Sequence, residues 1–396
     1  MTEPSDPRYL TTAEVARRLD VKPETVYAYV SRGMLTSVRA QGRRGSLFAQ
    51  DDVDRLVERA HADHRPSGAV ERIRTELTLL ENDELYYRGR RVVDLAATHS
   101  VESVAHLLWT GELSDRPAFA ASDERVALVR ASLAALPPTA RLTDRIRVAV
   151  AVLGAADPLR ADLSPASIIR AAEAMLATLA EALSSTVDPG TTLAERLWPG
   201  LSTAPRQAEL LNTVLVLLAD HGLAVSTVAA RVAASARAHV YAVVSAGLGA
   251  ADGHYHGTAS TLAYRFLAEA RQDPLGALSE RLRAGNPIPG YGHTVYQDAD
   301  PRAQLLLSLL KGTDVMATVD LVSAELAGRS GLFPNVDLAL AALMHAYDMR
   351  PDAGEAIFEF ARTIGWIAHA LEEYTEPSLR FRPLGVYTGT APFTVG

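Results

Sequence analysis

The chain of 396 residues contains no cysteine, which excludes disulfides and thiolate chemistry and gives no sign of an oxidising compartment. Lysine is nearly as scarce: 37 of the 39 basic residues are arginine, a compositional bias to which we attach no mechanism. No uncharged apolar run approaches the roughly 18 residues that a membrane helix needs. The start, MTEPSDPRYL, has neither the basic nor the apolar region of a secretory signal, so a cytoplasmic protein without a membrane partner is expected. Repeats and long low-complexity runs are also missing. What remains, with hydrophobic residues at 48% and charged residues at 22%, is the composition of a globular protein long enough for two or three domains. Its net charge of −8 is unevenly spread. Residues 1–65 hold 11 basic and 10 acidic side chains, so the remainder is acidic and any anion site there must be built from clustered arginines.

The segment YLTTAEVARRLDVKPETVYAYVSRGML reads as two helices. Thr11 or Thr12 can cap the first, which carries Val15, Ala16 and Leu19, and Pro23 opens the second, which carries Val26 and Val30. RAQGRRGSLFAQDDVDRL then gives a basic, glycine-containing turn between short strands, followed by a helix. This is a helix-turn-helix pattern, and residues 8–60 resemble the small winged modules of the MerR and excisionase type. In that likeness Lys22, Thr25, Tyr27 and Arg32 lie near a DNA groove, while Arg43 and Arg44 form a wing that touches phosphate. A net charge of +1 is weak for DNA binding, so a folded cap used for protein contacts is the competing reading.

HADHRPSGAVERIR is polar and contains proline and glycine, as a linker does. The expected organisation is a winged helix-turn-helix domain over residues 1–62, a linker over 63–72 and a body over 73–396. Within the body, ESVAHLLWTGEL, RVALVRASLAAL, ASIIRAAEAMLATLAEAL and QAELLNTVLVLLADH place apolar residues at helical spacing. ELTLLENDELYYRGRRVVDLA alone looks like short strands or turns, so the fold class expected is mainly all-α.

Four stretches break the helical pattern. At GYGHTVYQDADPR and just before it, Gly285, Pro287, Pro289, Gly290 and Gly292 forbid a regular helix and present His293 on a loop. Asp300 then reads as an N-cap and Pro301 as the first helical residue, which puts Arg302 at the positive end of a helix dipole. A bound carboxylate would account for it; so would a surface arginine balanced by Asp300. In FPNVD, Asn335 can cap a helix whose first turn holds Asp337, read either as a dipole-complementing acid or as a general base aimed into a cleft. DHGLAV sets His221 at a helix end. HYHG brings His254 and His256 together, and a metal held by them with Asp337 is the less favoured use, since the flanks are glycine-rich and no further ligand cluster follows. Arg362 neighbours an apolar helical stripe through Ile357, Phe360, Ala361, Ile364, Ala368 and Leu371, with Arg382 beyond it. Such guanidinium groups need an anionic partner, either an internal acid or a dicarboxylate ligand.

DHGLAVST, HYHGTA, GYGHTVYQDADPRA, NVD, ARTIGWIAHALEE and RPLGVYTG occur in the order and approximate spacing of the citrate synthase family. YYRGRRVVDLA and VAHLLWTGEL open the likeness, which runs from about residue 76 to 390. The resemblance implies a two-domain helical fold, with a large domain over about 73–254 and 361–396 and a small one over about 255–360 that closes the cleft. It implies an acyltransferase that condenses acetyl-CoA with oxaloacetate to citrate and CoA through an enolate, with no metal and no cofactor beyond the acyl-CoA substrate. At the matching positions Asp337 takes a proton from the acyl group, His256 bonds the thioester oxygen and His293 polarises the ketone of oxaloacetate. Arg302, Arg362 and Arg382, assisted by His221, bind carboxylates. Arg382 serves the neighbouring subunit's site, which implies a homodimer.

The chain departs from the family pattern in places. HYHGTAS stands where many relatives have PLHGGAN. Thr294 and Gln297 replace two basic residues expected near CoA phosphates, and Gly222 and Ala224 remove polar groups beside His221. A 2-methylcitrate synthase using propionyl-CoA, a citryl-CoA lyase-like enzyme and a tricarboxylate-sensing DNA-binding regulator are the alternative readings.

Overall fold

The computed structural model describes residues 9–18, 21–31, 35–39, 46–50, 52–53, 72–184, 191–253, 257–381, 383 and 388–389. The chain divides into two compact units, one spanning Arg74–Leu379 and the other made of residues 1–73 and 380–396.

In the smaller unit, strand Tyr9–Thr11 precedes helices Thr12–Arg18 and Pro23–Ser31, and strands Ser37–Arg39 and Ser46–Ala49 follow them; Ser46–Ala49 pairs antiparallel with both of the others. Thr11 and Glu14 close a reciprocal cap: the Thr11 hydroxyl accepts from the Glu14 amide at 3.4 Å, and the Glu14 carboxylate accepts from the Thr11 amide at 2.8 Å. Val15, Ala16, Val26, Leu35, Phe48 and Val53 bury against one another as a small separate core. The expected cap and the two apolar helix faces are therefore present. Leu19 lies outside the described residues.

The larger unit opens with a three-stranded antiparallel sheet, Thr78–Glu81, Glu84–Tyr87 and Arg90–Arg91. Asn82 and Asp83 join the first two strands with both φ angles positive, 53° and 58°, as a two-residue hairpin turn matched to strand twist requires. From Val92 onward the described body is built from helices. Their ends follow local chemistry. Ser100 caps Val101–Thr110, Thr192 and Glu195 form a capping box at Leu193–Leu201, and Asp273 caps Pro274–Arg283.

Helix Ala353–Glu373 is the axis of the body and packs on Ala208–Leu218, Val225–Ser235 and Val240–Ala251. The sequence suggests one apolar stripe along it; the structure instead buries it nearly all round, including Glu359, Arg362, Thr363, His369 and Glu373. Those polar groups must find partners inside the protein. Gly365 lets the axis touch the end of Ala208–Leu218: its amide donates to Ala219 O at 3.0 Å, and a Cβ there would collide with Ala219 and Asp220. The residue next along the chain is His221.

Candidate active site

One cleft of about 350 Å³ in the larger unit is lined by His221, His293, Arg302, Asp337 and Arg362, together with Leu80, Ser260 and Phe358 among others. Five of the seven catalytic and substrate-binding residues named from sequence thus meet in one place. The other two, His256 and Arg382, lie outside the described residues, as do His254 and three of the six residues expected from sequence to contact DNA, Arg32, Arg43 and Arg44. Of the remaining three, Lys22 and Tyr27 are exposed at the start of Pro23–Ser31 and Thr25 is half-buried beside them.

His293 and Asp337 are brought together by a backbone pairing between two loops. Gly292 N donates to Phe333 O at 2.8 Å, Asn335 N donates to Gly290 O at 2.9 Å, and Asn335 Nδ2 donates to Gly292 O at 2.8 Å. Gly290, at φ 86°, is needed here because a Cβ would stand 2.8 Å from Leu338 Cβ. Asn335 Oδ1 meanwhile accepts from the amides of Asp337 and Leu338, the expected cap of helix Val336–Ala346.

The His293 ring is held by its own loop. Val295 N and Tyr296 N donate to His293 Nδ1 at 3.0 and 3.3 Å, so the neutral ring carries its proton on Nε2. Burial, reinforced by Arg302, pushes the His293 pKa down to about 4, and the ring is neutral at physiological pH. His221, with ring centroids 5.3 Å apart from His293, bonds the Tyr296 hydroxyl through Nε2 at 3.0 Å. Burial and then Arg302 and Arg362 push its pKa well below the ordinary value, so it too is neutral.

Asp337 moves the opposite way. Burial raises its carboxyl to about 6 against the pull of Arg302, which leaves it ionised at pH 7 yet close to the point of accepting a proton.

Arg302 is not the surface residue that one sequence reading allowed: it is 3% exposed. Its Nε and Nη2 donate to the two oxygens of Asp300 at 2.9 and 2.8 Å, and its guanidinium carbon sits 5.2 Å from the Tyr296 ring centroid. Asp300 also accepts from the amides of Arg302 and Val336, both at 3.0 Å, tying the starts of Pro301–Leu309 and Val336–Ala346 to one carboxylate. Both sequence readings therefore hold in part: Asp300 balances the charge, and the arginine still faces the cleft.

Arg362, 2% exposed, donates from Nε to Leu218 O at 3.0 Å and lies over the Phe358 ring at 4.7 Å. Among the described residues no carboxylate comes within ion-pairing distance of it.

Behind His221 runs a buried chain that sequence reasoning does not find. Asp220 accepts from Thr78 Oγ1 at 2.5 Å and from Gly222 N at 2.9 Å, and its backbone is gripped by the Tyr87 hydroxyl. His369 Nε2 faces its other oxygen at 3.4 Å, and Arg231 Nη1 donates to His369 Nδ1 at 2.8 Å while binding Glu372 and Glu373. Tyr296, which touches His221, His293 and Arg302, is also missed; its only signal was its place three residues after the loop histidine. Among the described residues no group of three or more His, Asp or Glu side chains is placed to hold a metal, and no helix is long and apolar enough to cross a membrane.

The domain family "Citrate synthase, C-terminal domain" matches residues 68–384, four-fifths of the chain. The chain belongs to the citrate synthase family. A helix-turn-helix domain family matches residues 9–61 ahead of it. The 2-methylcitrate synthase of Mycobacterium tuberculosis is 30% identical over 341 residues, covering 78% of this chain and 86% of that protein. The citrate synthase of Haloferax volcanii is 30% identical over 352 residues, covering 80% and 93%. Among solved structures, citrate synthase from Thermotoga maritima MSB8 superposes with a TM-score of 0.67 at 24% identity, over 82% of this chain and 95% of that one. Citrate synthase from Thermoplasma acidophilum, in a ternary complex with carboxymethyl coenzyme A and oxaloacetate, gives 0.65 at 23% over 82% and 96%. These likenesses establish that the mainly helical body has the citrate synthase fold.

Proposed function

We propose that the chain condenses an acyl-CoA, acetyl-CoA first among the candidates, with oxaloacetate, and that the cleft is its active site. The observation that carries this reading is the division of protonation states: a carboxylate near pKa 6 shares the cleft with a neutral histidine whose Nδ1 is occupied by amides and whose Nε2–H is left to donate.

In this scheme Arg302, through Nη1, and Arg362 bind the two carboxylates of oxaloacetate, with His221 beside them. His293 Nε2–H donates to the ketone oxygen and withdraws electron density from the carbonyl carbon. Asp337 removes a proton from the carbon next to the thioester carbonyl, and the resemblance assigns His256 to hold the developing enolate oxygen. The enolate carbon forms a bond to the ketone carbon, whose oxygen takes the His293 Nε2 proton and becomes the hydroxyl, while the proton held by Asp337 makes good the one that His293 gives up. Water then cleaves the thioester, releasing CoA and the tricarboxylate. The acyl-CoA is consumed as substrate, and the scheme needs no other cofactor. Arg382 is assigned by resemblance to the site of a second copy, which makes a homodimer the active unit in this proposal.

A second role, contact with duplex DNA through Lys22, Thr25 and Tyr27, is supported by two exposed side chains: Tyr27 is 56% exposed on the helix Pro23–Ser31, and Lys22, which precedes that helix, is exposed as well. Arg32 would join them near the groove, Arg43 and Arg44 would add phosphate contacts, and affinity should fall steeply with salt.

Free-thiol release from acetyl-CoA and from propionyl-CoA, each with and without oxaloacetate, tests the enzymatic proposal. Oxaloacetate-dependent release is expected, and the faster donor decides between citrate and 2-methylcitrate formation. No release from either overturns it in favour of a citryl-CoA lyase or a tricarboxylate-sensing regulator, which citryl-CoA cleavage and ligand-dependent DNA binding then separate.

A further inference from the structure

We infer that Asp83 is a positioning residue for His293, a role that rests on the condensing reading of the cleft. Five consecutive backbone amides, 295 to 299, end on two acceptors. Those of Val295 and Tyr296 donate to the His293 ring, and those of Gln297, Asp298 and Ala299 donate to the Asp83 carboxylate at 2.7, 2.7 and 3.3 Å. Gln297 uses one carboxylate oxygen and the other two amides share the second.

The segment from Thr294 to Ala299 contains neither glycine nor proline, and its turn is closed from outside, by a residue more than 200 positions earlier in the chain. If those three amides lose their acceptor, the preceding two no longer stand where they hold Nδ1, and the ring is free to exchange tautomer. The Nε2–H donor that faces the ketone is then only part of the population. The same hairpin supplies Thr78 to Asp220, which precedes His221, and Leu80 to the cleft wall. One short turn therefore backs both histidines.

Position 83 has a left-handed backbone, at φ 58°, that Asp, Asn and Gly all accept. Asp83→Asn consequently leaves the turn intact while removing the charge and one acceptor oxygen, and its amide nitrogen meets backbone donors that it cannot satisfy.

The test uses the full chain labelled with 15N-histidine, with the His293 signals assigned by their absence in His293→Gln. Wild type should show His293 in the Nε2–H tautomer alone. Asp83→Asn should show mixed or exchanging tautomers with an unchanged near-UV circular dichroism spectrum, and Asp83→Gly the same, so a folding defect peculiar to one variant does not decide the matter. Turnover should fall by about tenfold to a hundredfold with the KM for acyl-CoA little altered, and Glu81→Gln should behave as wild type. An unchanged His293 tautomer in both Asp83 variants overturns the inference, even where turnover falls. If wild type shows no thiol release, the proposed reaction fails on its own terms, and the spectra still report whether Asp83 sets the ring.

Discussion

Replacing Asp337 by asparagine should make the protein inactive and more stable in the same step. Burial raises the carboxyl from its ordinary 3.8 to about 6. A rise of about two units, at roughly 1.36 kcal/mol each, means that keeping Asp337 ionised costs the fold about 3 kcal/mol at neutral pH. The sign follows from proton counts. Between about pH 4 and 6 the folded chain holds a proton that the unfolded chain has released, so stability falls as pH rises through that window and stays at the lower level above it. Asparagine has nearly the same size and is neutral throughout. Its advantage over the parent should be complete near pH 7, about half as large near pH 5 and nearly gone at pH 4. A unit of about 300 residues melts with an entropy of roughly 0.6 kcal/mol per degree, so the gain at neutral pH corresponds to about 5 °C.

Thermal melts of both proteins at pH 7 and pH 5, beside oxaloacetate-dependent thiol release, supply the assay. The parent's turnover should decline about tenfold per pH unit below pH 6, as Asp337 takes up its proton. A stability gain of equal size at both pH values would place its cause in packing or hydrogen bonding and refute the account of the base. A lower melting temperature for Asp337→Asn at pH 7 would refute it as well.

Asp300→Asn leaves the Arg302 guanidinium buried opposite a neutral partner, one of whose groups is a donor like itself. Breaking a buried pair in this way costs about 3–5 kcal/mol, which a urea titration should show as a lower midpoint, with weaker oxaloacetate binding by calorimetry. Gly290→Ala and Gly89→Ala both introduce a side chain at positive φ, but only the first places a methyl 2.8 Å from Leu338 Cβ, whereas nothing lies within 4 Å at the second. The first should therefore lower the melting temperature by about 1–3 kcal/mol worth of stability beyond the second, and should also slow turnover, because it pushes the His293 loop from the Asp337 helix.

What could be read in the sequence was chemistry that acts within a few residues. Asp300 with Pro301, Asn335 two residues before Asp337, and Thr11 at the start of the first helix are caps whose donors and acceptors lie on the same turn, and each forms as expected. The apolar periods located the helices for the same reason. The order of the motifs identified the family and, through it, the residues that line the cleft. What could not be read is what joins them. Asp83 to the amides of 297–299, Arg231 to His369 and Thr78 to Asp220 each link residues more than 100 positions apart, and no spacing rule connects them. The stripe on Ala353–Glu373 misled for a related reason. A helix at the centre of a bundle carries buried polar residues on the faces that a surface helix would turn to water, and only the packing shows that their partners are present.

Arg302 shows why the sequence offered two readings as alternatives when they are parts of one arrangement. A guanidinium has two edges, and a buried one left wholly unpaired would be expelled toward solvent or leave a large desolvation penalty. Asp300 takes one edge through Nε and Nη2, which holds the group in place within a wall that is nearly closed to water and lowers the cost of its charge there. The other edge is thereby aimed at the cleft before any ligand arrives, and a carboxylate that binds need not first order the side chain. Arg362 reaches a similar state by other means, with one bond to a carbonyl oxygen and an aromatic face beneath it, but without a paired acid among the described residues. Of the two, Arg362 has more to gain from an anionic ligand. Its replacement by lysine, which keeps the charge but loses the planar fork, should weaken oxaloacetate binding while leaving the fold's stability less affected than Asp300→Asn does.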